Sequence, residues 1–565
     1  MADNYDDYSK EELIRELRAK NQKPRFGLYW ERDDIEHERA INTDFVALDL
    51  DESLSCGDAP YQNLIIEGDN FDALRYLRMT YKGQVKCIYI DPPYNTGNKD
   101  FVYNDRFIDK DDVYKHSKWL EFMYRRLAVA RDLLANDALI CVSIDDNEIG
   151  NLLLLMDMIF GSSNRLACAP WLAEPSGGKE KTGLRGGHEY LLIYYIGNKS
   201  CISSEERSTG KLDKKDRLGA YRKGRELRKW GGTSLRNDRP KQWFPLTTPT
   251  GEIVYPYRND GKEGHWRWGK DQKMKEIVIN PELAHWEMCS YDNGVIVNDE
   301  TERWVPFEKI RDSKKTVGWG TWLDSVGFNS DATRELKEIF GEKPFDTPKP
   351  TSLIEWLLRL HEDENALVLD FFAGSGTTAH AVLKLNAEDD GNRRFILVSN
   401  TEATESEPDK NLCRDVCAER VRRVMQGYTN QKAEQVEGLG VNPSTGLRTG
   451  FAYLKTRRIN SETLLTEIQH SQIWTALQLS HGAALSAFNP HSSVQQLQTT
   501  DNTVMYLCQL TEQELTAVIE CLEKQQTTVY SWQPALLSHY IEDANLICLP
   551  IPKFLIDRFG TGVKA

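Results

Sequence analysis

Residues 87–101, CIYIDPPYNTGNKDF, contain side chains whose types and spacing suit the binding of a planar amine. The apolar run CIYI predicts a buried strand, and Asp91, Pro92, Pro93 and Tyr94 follow at its carboxyl end. Two prolines hold a turn rigid, so the Asp91 carboxylate and the Pro92 carbonyl can point at one shared position. Two adjacent acceptors match the two hydrogens of an exocyclic amine, and the Tyr94 ring could stack on the base that carries it. A fixed loop with an aspartate cap is the structural alternative.

A second informative segment is ALVLDFFAGSGTTAHAV, residues 366–382. Its first half predicts a buried strand, and its second half predicts a helix that begins after Gly374, Ser375 and Gly376. Glycine lets a backbone approach a ligand closely, and a helix N-terminus offers N–H groups to a negative group. Alone this spacing is weak evidence, because many α/β proteins share it. No Gly-Lys pair in the chain is followed by Ser or Thr, so no P-loop for ATP is predicted.

Apolar strands alternate with amphipathic helices over residues 61–200 and again over residues 336–435. This rhythm predicts an α/β protein with a mostly parallel sheet covered by helices on both faces. Ligands of such sheets lie beyond the carboxyl ends of the strands, where both segments occur. Residues 1–60 are expected to form an N-terminal arm with a helix over 9–19 capped by Ser9. Residues 436–565 are expected to form a small α+β domain of unknown role.

The stretch from 201 to 335 interrupts the alternation and carries a different charge. Residues 201–270 contain 17 Lys and Arg against 9 Asp and Glu, whereas residues 1–60 contain 8 against 16. Eight of the 14 tryptophans lie between residues 230 and 322. Cations interleaved with aromatic rings are typical of surfaces that contact phosphates and base edges, so this insertion is predicted to recognise DNA. A structural insertion is the alternative, and some of the tryptophans are expected to form its core.

The composition is typical of a soluble globular protein of several domains, with 40% hydrophobic and 28% charged residues among 565 and a net charge of −15. No apolar run reaches the roughly 18–20 residues of a membrane span, and the first residues do not resemble a signal sequence. The 11 cysteines are scattered, and Cys413 with Cys417 is predicted to be a pair of buried thiols rather than a metal site. We therefore expect a reduced, cytoplasmic protein without a metal.

Together the two motifs resemble the beta group of S-adenosylmethionine-dependent DNA amino-methyltransferases, in which the catalytic motif precedes the cofactor motif. Longer segments look like the modification subunit of type III restriction–modification systems. These segments are GLYWE (27–31), LIIEGDNFDAL (64–74), DPPYNTGNKDFVYND (91–105), SIDDNE (143–148), HEYLLIYY (188–195), KPTSLI (349–354), FFAGSGTTAHAV (371–382) and NAEDDGNRRFILV (386–398). The resemblance covers about residues 25–405.

The resemblance implies a Rossmann-like methyltransferase fold with a mostly parallel seven-stranded sheet. Its catalytic half would be 61–200, its inserted target-recognition domain 201–335 and its cofactor-binding half 336–435. Asp91, Pro92, Pro93 and Tyr94 would be the catalytic motif that holds the target adenine. The residues expected to bind S-adenosylmethionine are Asp69, Lys349, Phe372, Gly374, Ser375, Gly376, Thr377, Thr378 and Glu402. The residues expected to bind DNA are Arg222, Arg225, Arg228, Lys229, Arg236, Arg239 and Arg267.

Within the cofactor site, Asp69 is expected at the adenine of the cofactor, Lys349 at the flank of its methionine moiety, and Thr377 and Thr378 near its carboxylate. Many relatives place an acid for the ribose at the end of the strand after the glycine loop. That position is Ser399 here, which leaves Glu402 as the nearest acid. His188 is expected to be structural or adjacent to the base rather than a general base.

The expected function is methylation of adenine N6 in duplex DNA, within a restriction–modification or phage-defence system. The base would be flipped out of the duplex to reach the site. The expected partners are double-stranded DNA, a second copy of the chain and a helicase–nuclease subunit, with no membrane. Alternatives are an N4-cytosine enzyme, an orphan methyltransferase without a nuclease, and a DNA-recognition subunit that has lost catalysis.

Overall fold

The computed structural model describes Trp30 and residues 44–103, 106–109, 114–177, 183–404, 407–441, 449–499, 502–551 and 553–555. The helix predicted over 9–19, most of the N-terminal arm and most of the GLYWE segment lie outside the described residues. One compact unit comprises the described parts of 1–203 and 320–565, and a second unit comprises Ser204–Trp319. No described helix combines the length and the apolar character that a membrane crossing requires.

The first unit is built on a nine-stranded sheet. Its strands are β1 (Phe45–Leu50), β2 (Asn63–Glu67), β3 (Val85–Ile90), β4 (Leu134–Ile144), β5 (Arg165–Leu172), β6 (His188–Gly197), β7 (Leu367–Asp370), β8 (Arg394–Ser399) and β9 (Phe451–Ile459). Their order across the sheet is β1-β9-β2-β8-β7-β3-β4-β6-β5. The six strands from β9 to β4 are mutually parallel, and β1 and β6 are antiparallel to their neighbours.

Helices cover this sheet because its central strands are apolar on both faces, as in other parallel sheets. All four residues of β7 are buried, and the last five of the six in β8 are buried. The helices are α1 (Asn70–Thr80), α2 (Lys115–Leu133), α3 (Ile149–Phe160), α4 (Asn329–Phe340), α5 (Thr351–Arg359), α6 (Thr377–Asp389), α7 (Glu419–Gln426), α8 (Leu464–Glu467) and α9 (His470–Ser480). A single π-helical turn, Cys413–Ala418, leads directly into α7.

The sheet differs from the sequence prediction in strand number and in domain boundaries. Seven strands were expected, and β1 and β9 add two at one edge. Consequently residues 436–565 are not a wholly separate domain, and residues 1–60 contribute a strand to the sheet. β9 lies between β1 and β2, with Phe451 opposite Asn63. This pairing joins segments almost 390 residues apart, and hydrophobic periodicity identifies strands but does not identify such partners.

Beyond α9 the chain forms a smaller four-stranded sheet with a core of its own. Its strands are Val494–Gln498, Thr503–Leu507, Thr527–Ser531 and Leu546–Pro550, and its helices are Glu512–Leu522 and Pro534–Tyr540. The last three strands are parallel, and the first is antiparallel to its neighbour. Met505, Val518 and Val529 are fully buried in this core. The α+β character predicted for the C-terminal region therefore holds for this part of it.

The second unit, Ser204–Trp319, contains a four-stranded antiparallel sheet. Its strands, in spatial order, are Lys214–Asp216, Gly219–Glu226, Glu302–Ile310 and Ala284–Ser290. Besides short 3-10 turns, the unit contains two strand pairs and one α-helix. The pairs are Glu205–Ser208 with Lys314–Val317 and Leu246–Thr247 with Ile253–Val254, and the helix is Lys275–Ile279. Trp266 is buried at its core beside Phe244 and Met274, whereas Trp230 is half exposed. As expected, some of its tryptophans form the core of the insertion.

Candidate active site

The DPPY segment lies at the carboxyl end of β3, next to the glycine loop that follows β7. β3 pairs in parallel with β7, with Ile88 opposite Leu369. Both strands are buried, so their ends are fixed by the core of the sheet. Continuing this register places Asp91 at the level of Phe372. The structure therefore brings the two motifs together at the edge of the sheet where ligands of such folds bind.

Asp91 has two charged or polar partners within its own site. The Tyr94 hydroxyl donates to Asp91 Oδ1 at 2.8 Å, and Lys349 Nζ lies 2.9 Å from Asp91 Oδ2. Burial is the main influence on this carboxyl and raises the pKa of Asp91, while Lys349 opposes the rise. The ammonium of Lys349 also lies 4.9 Å from the centre of the Tyr94 ring. Lys349 therefore contacts the DPPY motif, whereas the resemblance assigned it to the flank of the cofactor.

Glu189, near the start of β6, is a further member of this cluster that the sequence analysis missed. Its Oε2 accepts from the Tyr94 hydroxyl at 2.8 Å and lies 3.4 Å from Lys349 Nζ. Burial opposes the positive charge of Lys349, but the carboxylates of Asp91 and Glu189 outweigh it and raise the pKa of Lys349. The signal in the sequence was an acid at the start of an apolar strand. His188 is exposed and bonds the Tyr190 hydroxyl at 2.9 Å, outside the cluster.

The loop after Asp91 is held by contacts with two helices. The indole Nε1 of Trp119, on α2, donates to the Pro93 carbonyl at 2.7 Å. Asn95 is fully buried in a left-handed conformation with φ of 58°, and its Nδ2 donates to Glu148 Oε1 at 2.5 Å. Glu148, itself fully buried, precedes α3. These contacts fix the loop in addition to the stiffness that the two prolines provide.

The glycine loop after β7 makes a turn that other residues would strain. Gly374 and Gly376 have φ angles of 48° and 77°. A Cβ atom on Gly376 would lie 2.9 Å from the Cys417 carbonyl oxygen. The Ala373 amide donates to the Val398 carbonyl at 3.1 Å, which ties the loop to β8. Close packing beneath the loop and its positive φ angles therefore both require glycine at position 376.

Asp370, the last residue of β7, supports this loop from below. Its Oδ1 accepts from the Phe372 amide at 3.0 Å, and its Oδ2 accepts from the Thr378 hydroxyl at 2.5 Å. Burial raises the pKa of Asp370 to about 7. No sequence pattern identified Asp370 as important, although it is the last residue of the strand that precedes the glycine loop. Asp370 is therefore a structural partner of the loop whose charge changes near neutral pH.

The hydroxyls of the loop face internal partners. Arg420, a fully buried residue of α7, donates to Thr377 Oγ1 at 2.7 Å and to Ser375 Oγ at 3.2 Å. A second nitrogen of the same guanidinium donates to Glu335 Oε2 at 2.8 Å. The hydroxyls of Ser375, Thr377 and Thr378 thus all bond to side chains within the protein, the last of them to Asp370, and these bonds stabilise the loop. The backbone at the start of α6 is thus the better candidate for a ligand carboxylate, since first-turn N–H groups lack helical acceptors.

Asp69 lies at the beginning of α1 and next to the glycine loop. Its Oδ1 accepts from the amides of Phe71 and Asp72 at 2.9 and 3.1 Å, as a helix N-cap does. The next residue, Asn70, donates through Nδ2 to the Phe371 carbonyl at 3.0 Å. The Asp69 side chain remains 45% exposed. Asp69 therefore combines a capping role with an accessible carboxylate beside the predicted cofactor wall.

Glu402, the acid expected at the ribose, is engaged in an ion pair. It follows β8 in a left-handed conformation with φ of 52°, and its Oε2 lies 3.1 Å from Lys410 Nζ. The ion pair is about 40% exposed on both sides, so it can open at low cost. A contact between Glu402 and the ribose stays a prediction, and in this structure the Glu402 carboxylate pairs with Lys410.

The site suits S-adenosylmethionine by the chemistry of its residues. The glycine loop and the first turn of α6 provide backbone donors for a carboxylate, and Asp69 provides an accessible acceptor for a base or a ribose. Phe372 lies against Phe122 with ring centroids 6.0 Å apart, which gives the site an apolar side. An amino-acid carboxylate, a sulfonium between apolar surfaces and an adenosine would each find a partner here.

The cations predicted to contact DNA differ in exposure within the second unit. Arg225, Lys229, Arg236 and Arg239 are exposed, Arg222 and Arg267 are half-buried, and Arg228 is buried. The prediction is wrong for Arg228, because its guanidinium donates to both oxygens of Glu226 at 2.7 and 3.2 Å and to Asn259 at 3.0 Å. Such a buried guanidinium, paired with a carboxylate, is not presented to phosphate.

A groove of about 720 Å³ in the same unit carries a different set of cations. The residues that line it include Arg222, Lys223, Arg225, Lys314 and Lys315, with Glu206, Glu308 and Asp312. Lys314 pairs with Glu206 at 2.8 Å and Lys223 pairs with Glu287 at 2.6 Å. Of the predicted cations, Arg222 and Arg225 line this groove. Both of its lysine pairs are at least one-third exposed, which leaves them able to exchange partners with phosphate.

Comparison with known proteins identifies the family. The DNA methylase family matches residues 85–399. The chain is 35% identical to the type III restriction-modification enzyme EcoPI Mod subunit of Escherichia phage P1, over 60% of this chain and 58% of that protein. It is also 35% identical to the type II methyltransferase M.KpnI of Klebsiella pneumoniae, over 59% of this chain and 79% of that protein.

A third relative is the type III restriction-modification enzyme StyLTI Mod subunit of Salmonella typhimurium, 32% identical over 75% of this chain and 65% of that protein. The chain thus spans less than two thirds of the length of both Mod subunits. The matched segment contains the DPPY motif, the second unit and the glycine loop, and it covers more than half of the chain. This protein therefore belongs to the DNA methylase family.

Proposed function

We propose that this protein is a site-specific DNA methyltransferase that methylates N6 of an adenine flipped out of duplex DNA. The observation that carries the proposal is the placement of Asp91 and Tyr94 directly beside the glycine loop, at the carboxyl ends of β3 and β7. An enzyme of this class needs an amine acceptor and a methyl-donor site at one point, because its catalysis rests on positioning. A protein that only binds DNA needs neither.

Asp91 acts as an acceptor for the amine, and this role requires its ionised form. Adenine N6 is a poor nucleophile because its lone pair is delocalised into the ring. Hydrogen bonds from the amine to the Asp91 carboxylate and the Pro92 carbonyl favour a pyramidal nitrogen and so free the lone pair. Burial raises the pKa of Asp91, and Lys349 opposes this rise and so favours the ionised form. The ring of Tyr94 stacks on the flipped base and contributes about 1–3 kcal/mol.

S-adenosylmethionine is the cofactor in this proposal, and it supplies an electrophilic methyl group when bound. The residues that hold it are the backbone of Phe372 to Gly376, the first turn of α6, and Asp69. Ser375, Thr377 and Thr378 act indirectly, because they fix the loop through Arg420 and Asp370. Glu402 is the candidate for the ribose hydroxyls once it leaves Lys410.

The second unit is the target-recognition domain in this proposal. Arg222, Arg225, Lys314 and Lys315 provide positive charge along its groove, and phosphate contacts of this kind supply affinity without sequence information. Two exposed arginines elsewhere in this unit, Arg236 and Arg239, are candidates for base-edge contacts. The acidic residues of the groove limit how closely a phosphate backbone can approach each position.

The system in which the enzyme acts is inferred from its relatives. Two of them are named Mod subunits of type III restriction–modification enzymes, so we infer a cytoplasmic modification subunit that dimerises and pairs with a helicase–nuclease subunit. The match to a type II methyltransferase supports the alternative of an enzyme without such a partner. A shift from adenine N6 to cytosine N4 would keep every residue role described above.

The test is nucleoside mass spectrometry on duplex DNA incubated with the protein and methyl-labelled S-adenosylmethionine. Wild type is expected to produce labelled N6-methyladenine, and Asp91→Ala is expected to produce none while DNA and cofactor affinities stay within about twofold. Asp146→Asn is the matched control, because this exposed carboxylate bonds the Tyr190 hydroxyl outside the cluster. Labelled N4-methylcytosine would refute the substrate, and the absence of any label would refute the activity.

A further inference from the structure

The Tyr94 hydroxyl lies between two carboxylates that cannot both receive its hydrogen. It is 2.8 Å from Asp91 Oδ1 and 2.8 Å from Glu189 Oε2. A tyrosine hydroxyl has one hydrogen and can also accept. Both short contacts are satisfied together when one carboxyl is protonated and donates to the Tyr94 oxygen, while Tyr94 donates to the other. With both carboxyls ionised, the cluster therefore lacks one hydrogen bond, and it gains that bond when it takes up one proton on either carboxyl.

We propose that the Tyr94 hydroxyl relays a proton from Asp91 to Glu189, which makes Glu189 the terminal acceptor of the proton that the amine loses. This inference rests on the proposed function. It assigns a chemical task to a residue outside the DPPY motif. It also gives the hydroxyl of Tyr94 a role separate from the stacking of its ring.

The transfer balances without a further reactant. As N6 takes up the methyl group, the carbon–sulfur bond of the methyl donor breaks and its sulfur becomes neutral. One N–H bond of the amine then breaks, and its proton bonds to an Asp91 oxygen. The Asp91 proton then passes to the Tyr94 oxygen while the original Tyr94 proton passes to Glu189 Oε2. Tyr94 ends as it began, Asp91 is again an anion, and Glu189 is neutral. Release of the Glu189 proton to water restores the starting state.

The geometry explains why a second carboxylate is useful. An amine bound against Asp91 covers that carboxylate, whose side chain is 22% exposed in the free protein. Glu189 lies one hydroxyl further on, so the amine need not contact it, and its side chain is 15% exposed. Burial and the two carboxylates raise the pKa of Tyr94 well above its usual range, which keeps the hydroxyl protonated as a relay requires.

With Asp91 and Glu189 ionised and Lys349 protonated, the cluster carries one net negative charge. The uptake of a single proton neutralises it. Lys349, from the segment before α5, is the cation and contacts both carboxylates. Asp370 at the end of β7 and Asp145 at the end of β4 are the other acids whose fields reach the pair, and Tyr89 of β3 faces Tyr94. Asn329 donates to Glu189 Oε1 at 3.5 Å and orients the terminal carboxylate.

Two isosteric variants test the relay in the full-length protein. Glu189→Gln keeps an acceptor for Tyr94 and Lys349 but cannot take up a proton at neutral pH. Tyr94→Phe keeps the ring for stacking and removes the hydroxyl. Single-turnover methylation would be measured from pH 5 to 9 with labelled S-adenosylmethionine at saturating cofactor and DNA, for both variants, their double variant and Asp146→Asn. Cofactor and DNA affinities would be measured on the same samples.

Each single variant is expected to slow methyl transfer by about 100-fold, at the lower end of the range of proton-transfer catalysis. The double variant should be no slower than the slower single variant, because both changes interrupt one path. The acid limb of the Glu189→Gln profile should move to lower pH, because the negative neighbour of Asp91 is gone. Asp146→Asn should match wild type.

Three results would overturn the relay. They are a wild-type rate in either single variant, effects that multiply in the double variant, and a slow variant whose cofactor or DNA affinity falls equally. The identity of the labelled nucleoside in wild type tests the proposed function separately. N6-methyladenine with unaffected variants would refute the relay alone, whereas no label in wild type would refute both.

Discussion

Asp370→Asn should change how the stability of the protein depends on pH. Asp370 is 3% exposed, and burial raises its pKa from 3.8 to about 7. A carboxyl with a raised pKa stabilises the fold while it is protonated, and that contribution is lost as the pH rises through 7. Asparagine can keep both contacts, since its oxygen can accept from the Phe372 amide and its NH₂ group can donate to Thr378. It cannot ionise.

The magnitude follows from the two pKa values. Each pKa unit corresponds to about 1.4 kcal/mol, so ionising Asp370 costs the folded state about 4 kcal/mol in full. Between pH 5 and pH 8 the change is about 2 to 3 kcal/mol, because part of the cost is already present at pH 5. The first unit, which contains Asp370, spans about 450 residues. With an unfolding entropy of about 2.1 cal/mol/K per residue, this change in the free energy of unfolding corresponds to about 3 °C in its Tm.

The assay is differential scanning calorimetry of wild type and Asp370→Asn at pH 5 and pH 8, at equal ionic strength. The Tm of the variant relative to wild type should rise by about 3 °C from the lower to the higher pH. Glu364→Gln, an exposed change on the loop before β7, is the control and should show no such rise. A Tm difference that is constant with pH, or that falls, would show that Asp370 does not titrate near neutrality and would refute the reasoning.

Three further changes test the site. Gly376→Ala should weaken S-adenosylmethionine binding at least about tenfold in calorimetry. The φ of 77° is strained for alanine, and its Cβ would lie 2.9 Å from the Cys417 carbonyl oxygen, so the loop is displaced. An unchanged Kd would contradict this. Lys349→Met should move the acid limb of the pH–rate profile to higher pH, because the pKa of Asp91 rises further without its cation. An acid limb at the wild-type pH would exclude an effect of Lys349 on the ionisation of Asp91. Arg225→Ala should weaken binding of duplex DNA and lower the salt dependence by about one ion, with equal affinity for the cofactor; binding that keeps its salt dependence would remove Arg225 from the interface.

The fold and the two motifs were predictable because they depend on local pattern. Apolar runs with regular amphipathic helices between them specify a mostly parallel sheet, and such a sheet brings the ends of its strands to one edge. The positions of Asp91 and Gly374 at the ends of β3 and β7 follow from those two facts. The DPPY segment indicated chemistry once the glycine loop was considered beside it.

Other features depend on contacts between distant segments, and no local pattern reveals them. Glu189 is an ordinary acid at a strand start until β6 is placed two strands from β3. β9 contributes to the sheet only because it pairs with β1 and β2, more than 380 residues away. Arg228 lies in a basic, aromatic stretch like its neighbours, yet it is the one whose guanidinium Glu226 and Asn259 enclose. Composition predicts a basic surface but does not distinguish its exposed cations from its buried ones.

The charge balance of the cluster around Asp91 links two segments of the chain that lie on either side of the inserted unit. Asp91 and Glu189 precede the inserted unit in the chain, whereas Lys349 follows it. Two buried carboxylates without a cation would favour protonation of Asp91, which would then be unable to accept from an amine. Lys349 stands two residues before α5, whose Thr351 hydroxyl donates to Glu335, the partner of Arg420 beneath the glycine loop. The same segment thus places a cation beside Asp91 and supports the glycine loop through Glu335, so a change in this segment should affect both the ionisation of Asp91 and the loop.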